Sequence, residues 1–317
     1  LSTAPRPIAE SSAAATPSAV ASESVEVPPD AVVPREPDGR LVAPTPKTAR
    51  VKLAYKVLGS AFHDGSKTSV ADLLYAYAFA YRWSLRHAAD GLRYDPGIDA
   101  ATAPLRRHLV AVRPTGVDTA SKSFRVGDVN LVREVLAIEA YLDIAPGDPD
   151  WNAVVAPPWS TLPWHVLALM EEAVSRGWAA FSEPEARRRA IPWLDLVRSP
   201  EVSAKLASLV AEFDRAAFRP DALQGRVTEE EARARWQALA AFYQASGHLL
   251  VTNGPYKLKA WTPEQVTLEA FRDLTYPLGV GSYDAYAIPR RGFITKVDRR
   301  DGRLTISGDI EVVEKRL

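Results

Sequence analysis

His63, Asp64 and Ser66 fall within four positions of one another in FHDGSKTSVADLL, residues 62–74. These are the residue types of nucleophilic hydrolysis, in which a hydroxyl attacks, an imidazole takes its proton and a carboxylate orients the imidazole. The spacing argues against that use. Neighbours on an extended strand point to opposite faces, and the members of a triad ordinarily converge from distant positions. The chain has no G-x-S-x-G elbow. A hydrolase using His63, Asp64 or His165 is therefore the alternative reading, and the main reading assigns no catalytic residue. In it, Asp64-Gly65 is a turn, Ser69 with Asp72 three residues later starts a helix, and His63 bonds backbone nearby.

Other chemistry finds less support. There is no cysteine, so thiolate nucleophiles and Cys-ligated zinc are excluded. H-E-x-x-H is absent, and the five histidines are isolated from one another. His165 has Glu172 on roughly its own helix face but two turns away. Gly279-Val280-Gly281 lacks the third glycine of a dinucleotide loop, and no P-loop occurs. The sequence predicts no metal and no cofactor. With 39 basic and 39 acidic side chains, it carries no electrostatic footprint for nucleic acid.

Ligand contacts come from aromatic and polar residues in loops, which line clefts more often than they fill cores. Trp159 and Trp164 sit in the Pro- and Trp-rich stretch from Pro146 to Trp164, and with Tyr283 and Asp284 they are the candidate ligand-binding residues. Trp178 and Trp236 fall on apolar helix stripes and read as core.

The elements that would hold such a site follow from periodicity. Residues 1–48 hold nine prolines and no aromatic residue, so they read as a disordered Pro/Ala-rich tether. Val51, Leu53, Tyr55 and Val57 alternate as a strand, and Leu73, Leu74, Tyr77 and Tyr81 recur at helical spacing. Residues 89–127 read as irregular. Residues 129–144 read as a strand, although their apolar spacing also permits a helix. A helical segment covers 163–247, with caps at Ser182/Glu185, Ser199-Pro200 and Thr228/Glu231. Period two returns in HLLVTN, YKLKAW and QVTLEAFRD, and a last hairpin turns at Asp301-Gly302. The fold class is α/β, mixed α+β, with a helical insert. The expected divisions are 1–48, a domain over 49–288 containing the insert 163–247, and a β segment over 289–317.

Two stretches together resemble a known family. Phe62-His63-Asp64-Gly65-Ser66, with Ser69 and Asp72-Leu73, is similar to the F-H-D-G-[ST]-x-x-[ST]-A-x-D-V segment of extracellular solute-binding proteins of family 5, the oligopeptide- and dipeptide-binding components of bacterial ABC importers. Gly254-Pro255-Tyr256-Lys257-Leu258-Lys259-Ala260-Trp261, followed by Pro263, resembles that family's G-P-Y-x-L-x-x-W-x-P strand pair, in the expected order. Thr68 stands where the family has an apolar residue. Arg272 to Pro277 replace its N-P-x-Y-W continuation, and the helical segment separates the motifs more widely than is usual. The chain reads as a divergent member and a fragment, its signal peptide removed or not captured.

The resemblance implies a periplasmic or lipid-anchored binding protein, monomeric and without catalytic activity. It would capture a peptide or other small solute and deliver it to an ABC permease in the membrane. It assigns Phe62, His63, Asp64, Gly65, Gly254, Pro255, Tyr256 and Trp261 to the scaffold lobe rather than to the ligand. An envelope interaction module, docking through residues 1–48 and the helical insert, is the third reading.

Overall fold

The computed structural model describes residues 18–45, 47–84, 93–120, 123–126, 128–132, 134–144, 149–158, 160–271, 291–300 and 303–311. The chain divides into two compact units, one spanning residues 12–277 and the other holding the C-terminal hairpin. Helices and strands are mixed throughout the larger unit, as an α/β class requires.

The larger unit is built on a four-stranded antiparallel sheet in the order β1-β4-β8-β5, from β1 (Ser18–Glu26), β4 (Thr48–Leu58), β8 (Val135–Leu142) and β5 (Leu109–Asp118). The short strands β2 (Val33–Pro34) and β3 (Leu41–Val42) pair beside it, and β6 (Ser123–Val126) pairs with β7 (Val129–Val132). Along β4 the alternation puts Val51, Leu53 and Tyr55 into the core, where Leu136, Ile138 and Ala140 of β8 meet them.

Helix α1 (Val70–Arg82) lies on this face and is buried on two sides. Leu73, Leu74, Tyr77 and Tyr81 pack on the sheet, while Ala71, Tyr75 and Ala78 face a second core. That second core belongs to α4 (Trp164–Ser175), α6 (Pro200–Ala216) and α7 (Glu229–Ser246), with α5 (Glu183–Arg189) beside them. A helix apolar on opposite sides is the signature of a middle layer. The order is sheet, then α1, then the helical layer.

Several expectations are corrected. Residues 18–48 are not a loose tether: β1 pairs along β4, and Val27, Ala31 and Ala49 form a small core with Val110, Ala111 and Tyr141. Small side chains suffice for an edge strand, and Pro28, Pro29 and Pro34 follow it at turns and at the margin of pairing, where a missing N–H costs little. Residues 96–108 are helix α2 (Pro96–His108), with the Asp95 side chain accepting from the amides of Gly97 and Ile98. The strand reading of 129–144 holds in kind, but the segment is two strands, β7 and β8, which pair in different sheets. Within the Pro-rich stretch lies α3 (Pro149–Val155), and the Tyr55 and Tyr77 hydroxyls both donate to the Ala156 carbonyl just beyond it, at 3.0 and 3.2 Å. Residues 248–253 form no strand. They run from the Gly247 C-cap to β9 (Tyr256–Trp261), which pairs with β10 (Val266–Ala270).

The smaller unit contains the predicted hairpin, β11 (Arg291–Arg300) against β12 (Arg303–Glu311).

Candidate functional site

The segment from Ser60 to Ser69 leaves the end of β4 and closes on itself before α1 begins. The Phe62 amide donates to the Ser66 carbonyl, and Gly65 takes φ +83°, a left-handed conformation that glycine adopts without a Cβ penalty. The Asp64-Gly65 turn is therefore as the sequence predicts. Thr68, polar where an apolar residue was expected, is buried with its hydroxyl donating to the Ser60 carbonyl at 2.8 Å.

The turn sends its side chains in two directions. His63 faces the residues that precede β9. Its Nε2 donates to the Gly254 carbonyl at 2.9 Å, the Thr252 hydroxyl lies 3.3 Å from Nδ1, and its amide donates to the Thr252 carbonyl. Asp64 faces α4, where its carboxylate accepts from His165 Nε2 at 2.9 Å. The expected opposition of His63 and Asp64 holds.

Asp64, His165 and the half-buried Ser66 thus come together in one cluster, with a wiring that differs from a triad. The Ser66 hydroxyl donates to Asp64 at 2.6 Å, and Asp64 occupies the centre. A nucleophilic serine needs the imidazole next to it, because the imidazole must take its proton. Here that proton points at the carboxylate, and the remaining ring nitrogen of His165, Nδ1, is buried without a partner. Burial works to raise the Asp64 carboxyl, but the bonds from His165 and Ser66 outweigh it and hold the group below its usual range. Burial pushes the His165 imidazole down against the opposing pull of Asp64. The pair is a neutral imidazole donating to a carboxylate.

A second buried carboxylate fixes the start of α1. Asp72 accepts from the Ser69 amide and hydroxyl at 2.7 and 3.0 Å, from Arg235 of α7 at 3.0 Å, and from the Trp164 amide at 2.8 Å. Arg235 also donates to the Ser66 hydroxyl and the Lys67 carbonyl. One guanidinium thereby ties the turn, the cap and α7 together. The cap is legible in the sequence; Arg235 is not, because its partners are more than 160 positions away.

Above this network lies a groove of about 620 Å³ at one end of the sheet. Residues 64–69 and Arg235 form its floor, Val117 and Leu136 one wall, and Ala234 and Ala238 of α7 the other. A concavity of this size, part apolar with a few convergent polar groups, is the usual form of a small-molecule site. A second groove of about 580 Å³ lies beside the β9–β10 hairpin and is mostly apolar. Trp193, Tyr256 and Trp261 on its rim are 49, 58 and 38% exposed.

The candidate ligand contacts fare unevenly. Trp164 is the first residue of α4, not part of a loop. Its indole is 1% exposed and packs edge-on against Trp236, so it belongs to the core. Trp159, Tyr283 and Asp284 lie outside the described residues. Of the scaffold-motif residues, Phe62 is fully buried, whereas Tyr256 and Trp261 present their rings to the second groove. Among the described residues no group of three or more His, Asp or Glu side chains is placed to hold a metal ion.

Neither the protein-family models nor the curated proteins compared with the chain contain a match.

Proposed function

We propose that this chain is the substrate-binding component of an ABC-type importer, or its scaffold lobe, which captures a small solute without transforming it. The observation that carries the reading is the contact between the two motif segments. They stand about 190 positions apart, yet His63 of the first bonds the carbonyl of Gly254, which opens the second, and that of Thr252 just before it. A motif pair that packs as one unit behaves as a shared structural signature rather than as two chance matches. The wiring of Asp64, His165 and Ser66 favours a scaffold role over hydrolysis. The groove above them supplies a place for a solute.

On this reading, partner and place follow from the family: a permease in the membrane, and the periplasm or the outer face of the cytoplasmic membrane. Calorimetric titration of the full chain with a panel of peptides, sugars, amino acids and organic acids tests it. Saturable heat with at least one compound, and no turnover of that compound, is the expected result. A chain that binds none of them, or that consumes the one it binds, is not a solute-binding component.

A further inference from the structure

Much of the charge around the sheet-end groove is already committed. Asp64 and Arg235 are bonded within the floor, and Glu231 accepts from the Thr228 amide in the cap of α7. In the helical layer, Arg176, Arg187, Arg188, Arg198 and Arg219 each have a carboxylate partner. Lys67 and Arg226 differ. Both line the groove, both are exposed, and neither side chain has an ion-pair or hydrogen-bond partner among the described residues. Glu134, half-buried, is the one lining carboxylate whose side chain likewise has no partner among the described residues. Between these charges the walls are Val70, Val117, Leu136, Val227, Ala234 and Ala238.

We infer that the groove takes a small organic acid with an apolar body, its carboxylate held by Lys67 and Arg226 and its hydrocarbon part against Val117, Leu136 and Ala238. Three features favour this class. Lys67 and Arg226 both have free donors, whereas of the lining carboxylates Glu231 is held in the α7 cap and Glu134 alone has free acceptors. Arg226 presents a planar fork that matches a carboxylate. The groove also contains the first residues of α1, whose N-terminal end carries partial positive charge. The inference rests on the solute-capture reading and names its ligand class.

The test is titration of the full chain with phenylacetate and hexanoate, alongside phenylacetamide, hexanamide and phenethylamine. The expected result is saturable binding of the acids, with the amides and the amine at least about tenfold weaker, as the loss of a charged hydrogen bond implies. Lys67→Gln with Arg226→Gln should weaken the acids by a similar factor. Glu134→Gln should leave them unchanged or tighten them. All three side chains are at the surface, and an unchanged thermal midpoint confirms that the variants fold. Amides or amine binding as well as the acids, or a double variant that keeps acid affinity, overturns the acid assignment while leaving solute capture standing. If the acids fail but a sugar or peptide from the wider panel binds, the ligand class is again wrong and the component reading survives. Failure of every compound in both panels removes both.

Discussion

Asp72 and Arg235, 163 positions apart in the chain, form an ion pair at 3.0 Å in which the carboxylate side chain is 1% exposed. The pair joins the start of α1 to α7, and through the Trp164 amide it also reaches α4. Three helices are thus registered by one buried carboxylate. Removing its cation leaves a desolvated charge with weaker partners, which is the costly way to break such a pair.

Arg235→Ala is therefore expected to cost about 3–5 kcal/mol of unfolding free energy. Arg235→Lys keeps the charge but cannot reach Ser66, Lys67 and Asp72 with one planar fork, so an intermediate loss of about 1–2 kcal/mol is expected. Urea denaturation followed by tryptophan fluorescence measures both. Equal losses in the two variants would mean that charge, not geometry, holds the junction.

The Asp64–His165 bond makes a second prediction. His165→Ala removes a donor from a fully buried carboxylate and leaves a cavity, at a cost of about 3 kcal/mol. The hydrolase alternative expects something else of the same cluster: a serine that reacts with fluorophosphonates. Because the Ser66 hydroxyl donates to Asp64, intact-mass spectrometry should show no adduct on the folded chain. Stoichiometric labelling at Ser66 would return catalysis to this site.

The parts of the fold governed by neighbours in the chain were legible. Asp64-Gly65, the Ser69 cap and the Thr228/Glu231 box involve residues within three positions, and all three appear as read. The parts governed by distance were not. The composition of residues 18–48 does not reveal that β4 offers an edge to pair with. Trp164 looked like a loop residue because its prolines were visible, while Trp236, which buries it, lies some seventy positions on. Asp95 before Pro96 was a readable N-cap, and α2 could have been found from it. Arg235 gave no local signal at all.

Acid should destabilise the protein in two steps. Burial holds the imidazoles of His63, His165 and His248 below the ordinary value of 6.5, against the raising effects of Gly254, Asp64 and Leu258. The unfolded chain therefore binds more protons there, and stability, complete above pH 6.5, is lost as pH falls toward the folded values. Asp64, also lowered, adds a further loss below its unfolded value of 3.8. Thermal midpoints between pH 8 and pH 3 should show a decline that begins near 6.5 and steepens below 4. His63→Gln, placed where Gly254 can still accept a bond, should flatten the first step. A midpoint constant from pH 8 to pH 5 would show that the histidines do not titrate with folding.

Glu171 supports the sharpest test of the layered core. It is buried on α4 and accepts from the Tyr75 hydroxyl, from Arg82 Nε at 2.8 Å and from Trp83 Nε1 at 2.6 Å, all in or at the end of α1. Tyr75→Phe deletes one donor and leaves the carboxylate two, so the loss should be about 1–2 kcal/mol. Glu171→Ala removes the acceptor, strands the Tyr75 hydroxyl and the Trp83 indole N–H in the interior and leaves Arg82 only the Asp38 carbonyl, which should cost at least about 4 kcal/mol. Because Trp83 itself loses its bond, the near-ultraviolet circular dichroism of Glu171→Ala should change, while that of Tyr75→Phe should keep its tryptophan bands. Similar losses in the two variants, with unchanged tryptophan bands in both, would mean that packing between the layers, and not this carboxylate, keeps α1 in place.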